Sequence, residues 1–367
     1  MSNMVDFAPA YVIINIMSYL CEKGVLINIF SILCIIVSAI CARRLPVSGK
    51  SSRSKRIIKG IAGTLAVATA VSIGTTDIVC SHIFKRVEPQ KNEPVPVDGV
   101  AAAYEDVGFL SGGVRLRGWL YSVEAPKALV IMVHGFRDDQ GCFSLLVQSF
   151  TENGFSVLTF DGTAAGTSDG DSIVGMEQAR YDTLAALDYV NSRGDTAGVP
   201  VVMFGYSMGA YGVLTAMNDV SPAPAAVVAV AGYNATTDLM VGHAQRYISV
   251  FANLGRPFLW LRDYMNVGAD AGKTAAEALE AANMPVLLIQ GAEDQAVPYE
   301  LSAYGRGIIS GNANISYMLV EAEGHADHSG VLPRSDDGSG AGADEAEKSQ
   351  IDAILRFITD SLKRCTI

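Results

Sequence analysis

Histidine is scarce in this chain. There are five in 367 residues, at positions 82, 134, 243, 325 and 328, so any reaction needing an imidazole must draw on these. Cysteine is present but unpatterned. Cys21, Cys34, Cys41, Cys80, Cys142 and Cys365 form no C-x-x-C pair and no Cys/His ligand spacing, so neither a metal site nor a disulfide framework is expected. Cys142 reads as a free thiol rather than one bridged to Cys365. Basic residues are concentrated at one end. The first 60 residues hold eight Lys or Arg and two acids, a charge of +6, which leaves −17 of the total −11 on the remainder. So acidic a body argues against nucleic acid as a partner, because phosphate binding needs clustered Lys and Arg. No internal repeat is visible, and no feature marks a specific protein partner.

Apolar residues, in contrast, are abundant. They make up half the chain, and the mean hydropathy is +0.27, high for a soluble enzyme. Val25 to Cys41 is an uncharged apolar run of 17 residues, at the short limit for spanning a bilayer. A cleaved signal peptide is the alternative, but the N-terminus has no basic region and no small-residue cleavage site follows. Arg43 to Lys59 carries seven basic residues and no acid. Ile61 to Val79 is a second, weaker run with Asp77 near its end, readable as a span or as a soluble Ala-rich helix. If both run across a membrane, the basic loop between them stays cytoplasmic and the rest of the chain lies outside. The expectation is a multi-pass protein of the cell membrane with an extracytoplasmic catalytic domain. If only the first run spans, with the same flank inside, the globular part is cytoplasmic instead. The expected division is a membrane region at 1–82, a linker at 83–99 marked by the prolines of Glu88 to Asp98, and a globular domain at 100–367.

Within that domain, short apolar runs alternate with helical spacing. Tyr104 to Ser122 reads as two antiparallel strands turning at Ser111-Gly112-Gly113. Ala128 to Val133, Phe155 to Phe160, Val201 to Phe204, Ala225 to Val230, Met284 to Gln290 and Ile315 to Val320 read as buried strands. Cys142 to Asn153, Met176 to Ser192 and Ser349 to Leu362 read as helices. This alternation predicts an α/β fold with a mostly parallel sheet and helices on both faces. The interval 233–283 breaks the pattern. It is helix-prone, carries Tyr247, Phe251, Phe258, Trp260 and Tyr264, and is expected to form a small helical cap.

Ligands of such sheets sit beyond the strand carboxyl ends. His134, Asp161, Ser207, Asp294 and His325 all fall just after strands. Ser207 lies in Gly205-Tyr206-Ser207-Met208-Gly209, between a strand and a helix, where a nucleophile elbow belongs. The flanking glycines let strand and helix approach, and the Met208 amide at the helix N-terminus can donate to an oxyanion. A serine needs a base and a group that orients the base. His325, aimed by the turn at Gly324, is the expected base, with His328 in reserve. Asp294 is the expected acid, with Glu293 and Asp238 as weaker alternatives. The order Ser…Asp…His matches one hydrolase fold.

Taken together, the segments 134–136 (HGF), 160–170 (FDGTAAGTSDG), 205–209 (GYSMG), 290–298 (QGAEDQAVP) and 323–328 (EGHADH) resemble the α/β-hydrolase superfamily, nearest to its bacterial lipase-like and serine-aminopeptidase-like branch. The resemblance implies a Ser207–His325–Asp294 triad and an oxyanion hole from the Phe136 and Met208 amides. It implies that His134 is structural and that Asp161 and Ser168 shape a neighbouring turn. It also implies no cofactor and no metal. One departure stands out, Gly162-Thr163 where such proteins commonly carry an arginine. The expected activity is hydrolysis of a small-molecule acyl ester or lipid-like substrate, with a thioester or amide bond also open. A serine peptidase and a non-catalytic scaffold of the same fold remain as alternatives.

Overall fold

The computed structural model describes residues 52–87, 104–334 and 343–365. The apolar run 25–41, most of the linker at 83–99 and most of the loop 333–343 lie outside the described residues. By internal contacts the chain divides into two compact units. One comprises the chain up to Phe84 together with Met240–Gly268, and the other Lys85–Leu239 with Ala269–Ile367.

The larger unit is built on one eight-stranded sheet. Its strands are β1 (Tyr104–Ser111), β2 (Val114–Tyr121), β3 (Leu129–Val133), β4 (Ser156–Asp161), β5 (Val201–Tyr206), β6 (Ala226–Val230), β7 (Val286–Gly291) and β8 (Ile315–Val320). They lie in the order β1-β2-β4-β3-β5-β6-β7-β8. The pairs β1/β2 and β2/β4 are antiparallel, and every later pair is parallel. The first hairpin closes on Gly112 and Gly113, both with positive φ (55° and 91°), as a two-residue turn matching strand twist requires. All five residues of β3 and of β6 are buried, which is what continuous apolar runs mean when helices cover both faces.

Two apolar layers fill the two sides of the sheet. One includes Leu129, Ile131, Met203, Val213, Leu214 and Leu288, and the other Val130, Met132, Phe143, Phe150, Phe204 and Ile354. The covering helices include Ser144–Glu152, Gln178–Ser192, Met208–Ala216, Ala303–Ser310 and Glu345–Cys365. In the last of these Ile351, Ile354, Leu355 and Ile358 are buried on the stripe that the helical spacing predicts. This is the α/β-hydrolase fold, with the parallel part of the sheet presenting its strand ends to one side.

The smaller unit contains the helix Ser52–Ile83, in which the second apolar run lies. Its part Gly60–Ile83 is long and apolar enough to cross a membrane. It also contains the helix Arg256–Val267 and most of the helix Thr236–Ile248.

Candidate active site

The nucleophile elbow forms because β5 runs directly into the helix Met208–Ala216 with one residue between them. That residue, Ser207, has φ 53° and ψ −113°, a left-handed conformation that a side-chain-bearing residue adopts only when its surroundings force it. Its amide donates to the Val230 carbonyl at 2.8 Å, which locks the turn to the neighbouring strand. A Cβ on Gly209 would strike the Val133 carbonyl, and one on Gly205 would strike the Gly209 carbonyl. The two glycines therefore permit the close approach of helix and strands that puts Ser207 at the corner.

Two further side chains complete a chain of hydrogen bonds. The Ser207 hydroxyl lies 2.9 Å from His328 Nε2, and His328 Nδ1 lies 2.8 Å from Asp294 Oδ2. The Asp294 side chain is fully buried. Its Oδ1 accepts from the Val297 amide at 2.7 Å, and its Oδ2 also accepts from Gln290 Nε2 at 3.0 Å. A buried carboxylate that accepts three donors has its position fixed by its neighbours. Gln290 escaped the sequence reading. Its signal is a polar residue ending an otherwise apolar strand.

His325, expected as the base, does not reach Ser207. Its Nε2 lies 2.9 Å from Asp344 Oδ2, at the start of the C-terminal helix. The reserve residue, three positions on, takes the place instead. Two anchors explain the difference. The Ala326 carbonyl accepts from the Glu293 amide at 2.9 Å, pinning the loop to the end of β7. The Tyr206 hydroxyl then donates to the His328 carbonyl at 2.9 Å, and the Tyr206 ring lies 5.3 Å from the imidazole. Burial holds the Tyr206 phenol protonated far above neutral pH, so it stays a donor. Gly324 does make a sharp turn, with φ 80°, but that turn directs His325 toward Asp344.

The loop after β3 abuts the elbow. A Cβ on Gly135 would lie 3.2 Å from the Ser207 Cβ, so the segment His134-Gly135-Phe136 runs beside the nucleophile. His134 is buried and ties two loops together. Its Nε2 accepts from the Gly162 amide at 2.9 Å, which leaves the proton on Nδ1, 2.8 Å from the Gly135 carbonyl. Nearby, Cys142 is a free thiol, and burial pushes it well above its ordinary pKa. It is therefore held neutral and does not compete as a thiolate nucleophile.

The loop after β4 carries no arginine of its own, and the chain supplies one from elsewhere. Arg86 donates to the carbonyls of Gly166, Ser168 and Gly170. Asp161 accepts from the amide and hydroxyl of Thr167 and from the amide and side chain of Gln140. Asp182 accepts from Ser111 Oγ, the Thr163 amide and hydroxyl, and Gln178 Nε2. Burial raises the Asp182 pKa while these four donors oppose the rise. Among the described residues no cluster of His, Cys, Asp and Glu could hold a metal ion.

Residues 124–263 match the protein family described as "Serine aminopeptidase, S33". That span includes the elbow and ends before Asp294 and His328. Over 302 residues the chain is 25% identical to an uncharacterized protein of Mycobacterium tuberculosis, covering 81% of this chain and 94% of that protein. Over 85 residues it is 31% identical to a monoglyceride lipase homolog of Monkeypox virus, covering 23% of this chain and 31% of that protein. An esterase of Pyrococcus furiosus superposes with a TM-score of 0.56 at 17% identity, covering 76% of this chain and 98% of that one, a likeness of fold. The chain thus has the α/β-hydrolase fold, and it is similar in part of its length to a family described as serine aminopeptidases and to a lipase homolog.

Proposed function

We propose that the protein is a membrane-anchored serine hydrolase that cleaves a carboxylic ester, thioester or amide through an acyl-enzyme on Ser207. The observation that carries this reading is the continuous path from Ser207 Oγ through His328 to buried Asp294. With Asp294 accepting at Nδ1, the neutral imidazole keeps its proton there and presents a bare Nε2 to the serine. His328 then takes the Ser207 proton as the oxygen attacks the acyl carbonyl. Asp294 stabilises the imidazolium without itself becoming protonated. The amides of Phe136 and Met208 would hold the developing oxyanion. Imidazolium returns the proton to the leaving group, and water, activated by the same imidazole, releases the acid.

The substrate reading is a small-molecule acyl ester or lipid-like ester. Similarity to an esterase and to a lipase homolog supports it. The matched family description keeps an aminopeptidase reading in view. The helix Gly60–Ile83 supports anchoring. Together with the run 25–41 it would give two spans, with the basic stretch Arg43–Lys59 cytoplasmic and the sheet unit outside.

The test is a turnover assay on the full chain in detergent, with short- and medium-chain nitrophenyl esters and an aminoacyl nitroanilide, beside Ser207→Ala. Ester turnover lost in the variant, with its circular dichroism unchanged, is the expected result. Turnover of the anilide alone would establish the peptidase. Equal background rates from both proteins on every substrate would overturn a catalytic role and leave a binding protein of this fold.

A further inference from the structure

The smaller unit is assembled the wrong way out for water. In the helix Arg256–Val267 the buried residues are Leu259, Arg262 and Asp263, spaced along one face. The residues left exposed include Trp260, Tyr264 and Met265, the last at 68%. A soluble amphipathic helix does the reverse. The helix Ser52–Ile83 has the same inversion. Ala68, Ser72 and Thr75 are buried at helical spacing and Cys80 is buried near the end, while Val67 and Ile78 stand 64% and 58% exposed. Only 17% of its most apolar stretch is buried, whereas a core helix of a soluble protein is mostly buried. Small and hydroxyl-bearing residues facing inward with branched aliphatics facing outward is how helices pack where the surroundings are as apolar as leucine.

The charges agree with the apolar pattern. Asp77 is the one Asp, Glu, Lys or Arg in Gly60–Ile83, and His82 is the one histidine. Its carboxylate lies 3.4 Å from Arg262 Nε, and Arg262 also donates to Asp263 at 2.9 Å and lies over the Phe84 ring. The span is about 36 Å long and Asp77 sits about 9 Å from its end, so in a ~30 Å hydrocarbon layer centred on the span this ion pair lies about 6 Å inside the nearer boundary. Through Arg262 the helix it joins would then lie near that boundary, the region that the aromatic rings of Trp260 and Tyr264 favour. Apart from the buried Arg262 and Asp263, which pair with each other, the segment 240–268 carries Arg246 and Arg256 and no acid, a positive excess in a chain of net charge −11. That sign suits an anionic lipid surface.

We propose that the segment 240–268 is a membrane-embedded surface, packed through Arg262 on the chain's own apolar helix, with Trp260, Tyr264, Met265 and the exposed Val250 and Phe251 covered by a phospholipid bilayer. The inference rests on the reading of Gly60–Ile83 as a membrane span and is independent of the proposed hydrolysis.

The test uses the full chain reconstituted into vesicles of phosphatidylcholine and phosphatidylglycerol whose acyl chains carry bromine near the headgroup or near the methyl end. The chain has two tryptophans, Trp119 and Trp260, and Trp119 is buried in the sheet unit. The expected result is strong fluorescence quenching by the shallow bromines and weaker quenching by the deep ones. That quenching disappears in Trp260→Phe and persists in Trp119→Phe. Should Trp119→Phe fail to fold, the difference between wild type and Trp260→Phe, an exposed site, gives the same reading. Quenching of Trp260 by aqueous iodide but not by bromines would overturn the proposal in favour of a solvated surface. Protection from both quenchers would overturn it in favour of a protein cover, either a second copy or the apolar run 25–41. Neither readout depends on ester turnover.

Discussion

The two units of this chain answer the same question, which face goes inside, in opposite ways. In the sheet unit large apolar side chains are buried, and the buried charges Asp161, Asp182 and Asp294 each sit among several donors. In the smaller unit an arginine and an aspartate are buried while tryptophan, phenylalanine and methionine are exposed. Composition does not separate them, since both are rich in apolar residues. The difference lies in which residues share a face, and that records the surroundings each unit is built against. The sheet unit packs its apolar faces inward around the corner that carries Ser207, and the smaller one leaves apolar side chains outside, the pattern that the proposed lipid surface requires.

Substitutions can break or sharpen that comparison. The largest effect is expected at the corner. Ser207→Ala and His328→Ala should each lower kcat on a nitrophenyl ester by about 10^4-fold or more, because the triad acts as a unit. His325→Ala should change it by less than about threefold, the range of a pair with an exposed partner. A reversal of the two histidines in that assay would sink the His328 assignment.

Next in size is a matched pair of phenylalanines. Phe204→Ala, in the fully buried strand β5, should cost about 3–5 kcal/mol in chemical denaturation. Phe251→Ala, 67% exposed, should cost less than about 0.5 kcal/mol in detergent. Similar costs for both would erase the contrast between the units. Asp182→Ala orphans four donors in the loop after β4 and should cost about 3 kcal/mol, read from the same denaturation curves. A smaller loss is expected from Tyr206→Phe, which removes only the hydroxyl bond to the His328 carbonyl. Turnover should fall by about five- to tenfold, the worth of one hydrogen bond, with little change in KM.

Much of the fold was legible because its signals are local. The runs at 129–133 and 226–230 are apolar without interruption, and burial on both faces is the simplest condition that tolerates this. The hairpin was written in Gly112-Gly113, and the elbow in two glycines flanking Ser207. Asp294 could be read from its place after a strand. The choice between His325 and His328 could not, since each follows the same strand within one turn-rich loop. The loop's direction depends on Ala326 meeting the Glu293 amide and on Tyr206 reaching across 122 positions of chain. Arg86 is a similar case, reaching from before the first strand to three carbonyls of the loop after the fourth.

By itself the sequence determined the periodicities, hence the strands, the helices and the strand-end position of the chemistry. Its glycines fixed where backbone can approach backbone, and its single acid in Gly60–Ile83 marked where that helix needs a partner. Only the tertiary structure decided which imidazole faces Ser207 and which faces of the two inverted helices turn inward. The physical reason is that a strand's burial depends on its own residues. The aim of a loop side chain, or the choice of a helix face, depends on contacts with residues far away in the chain.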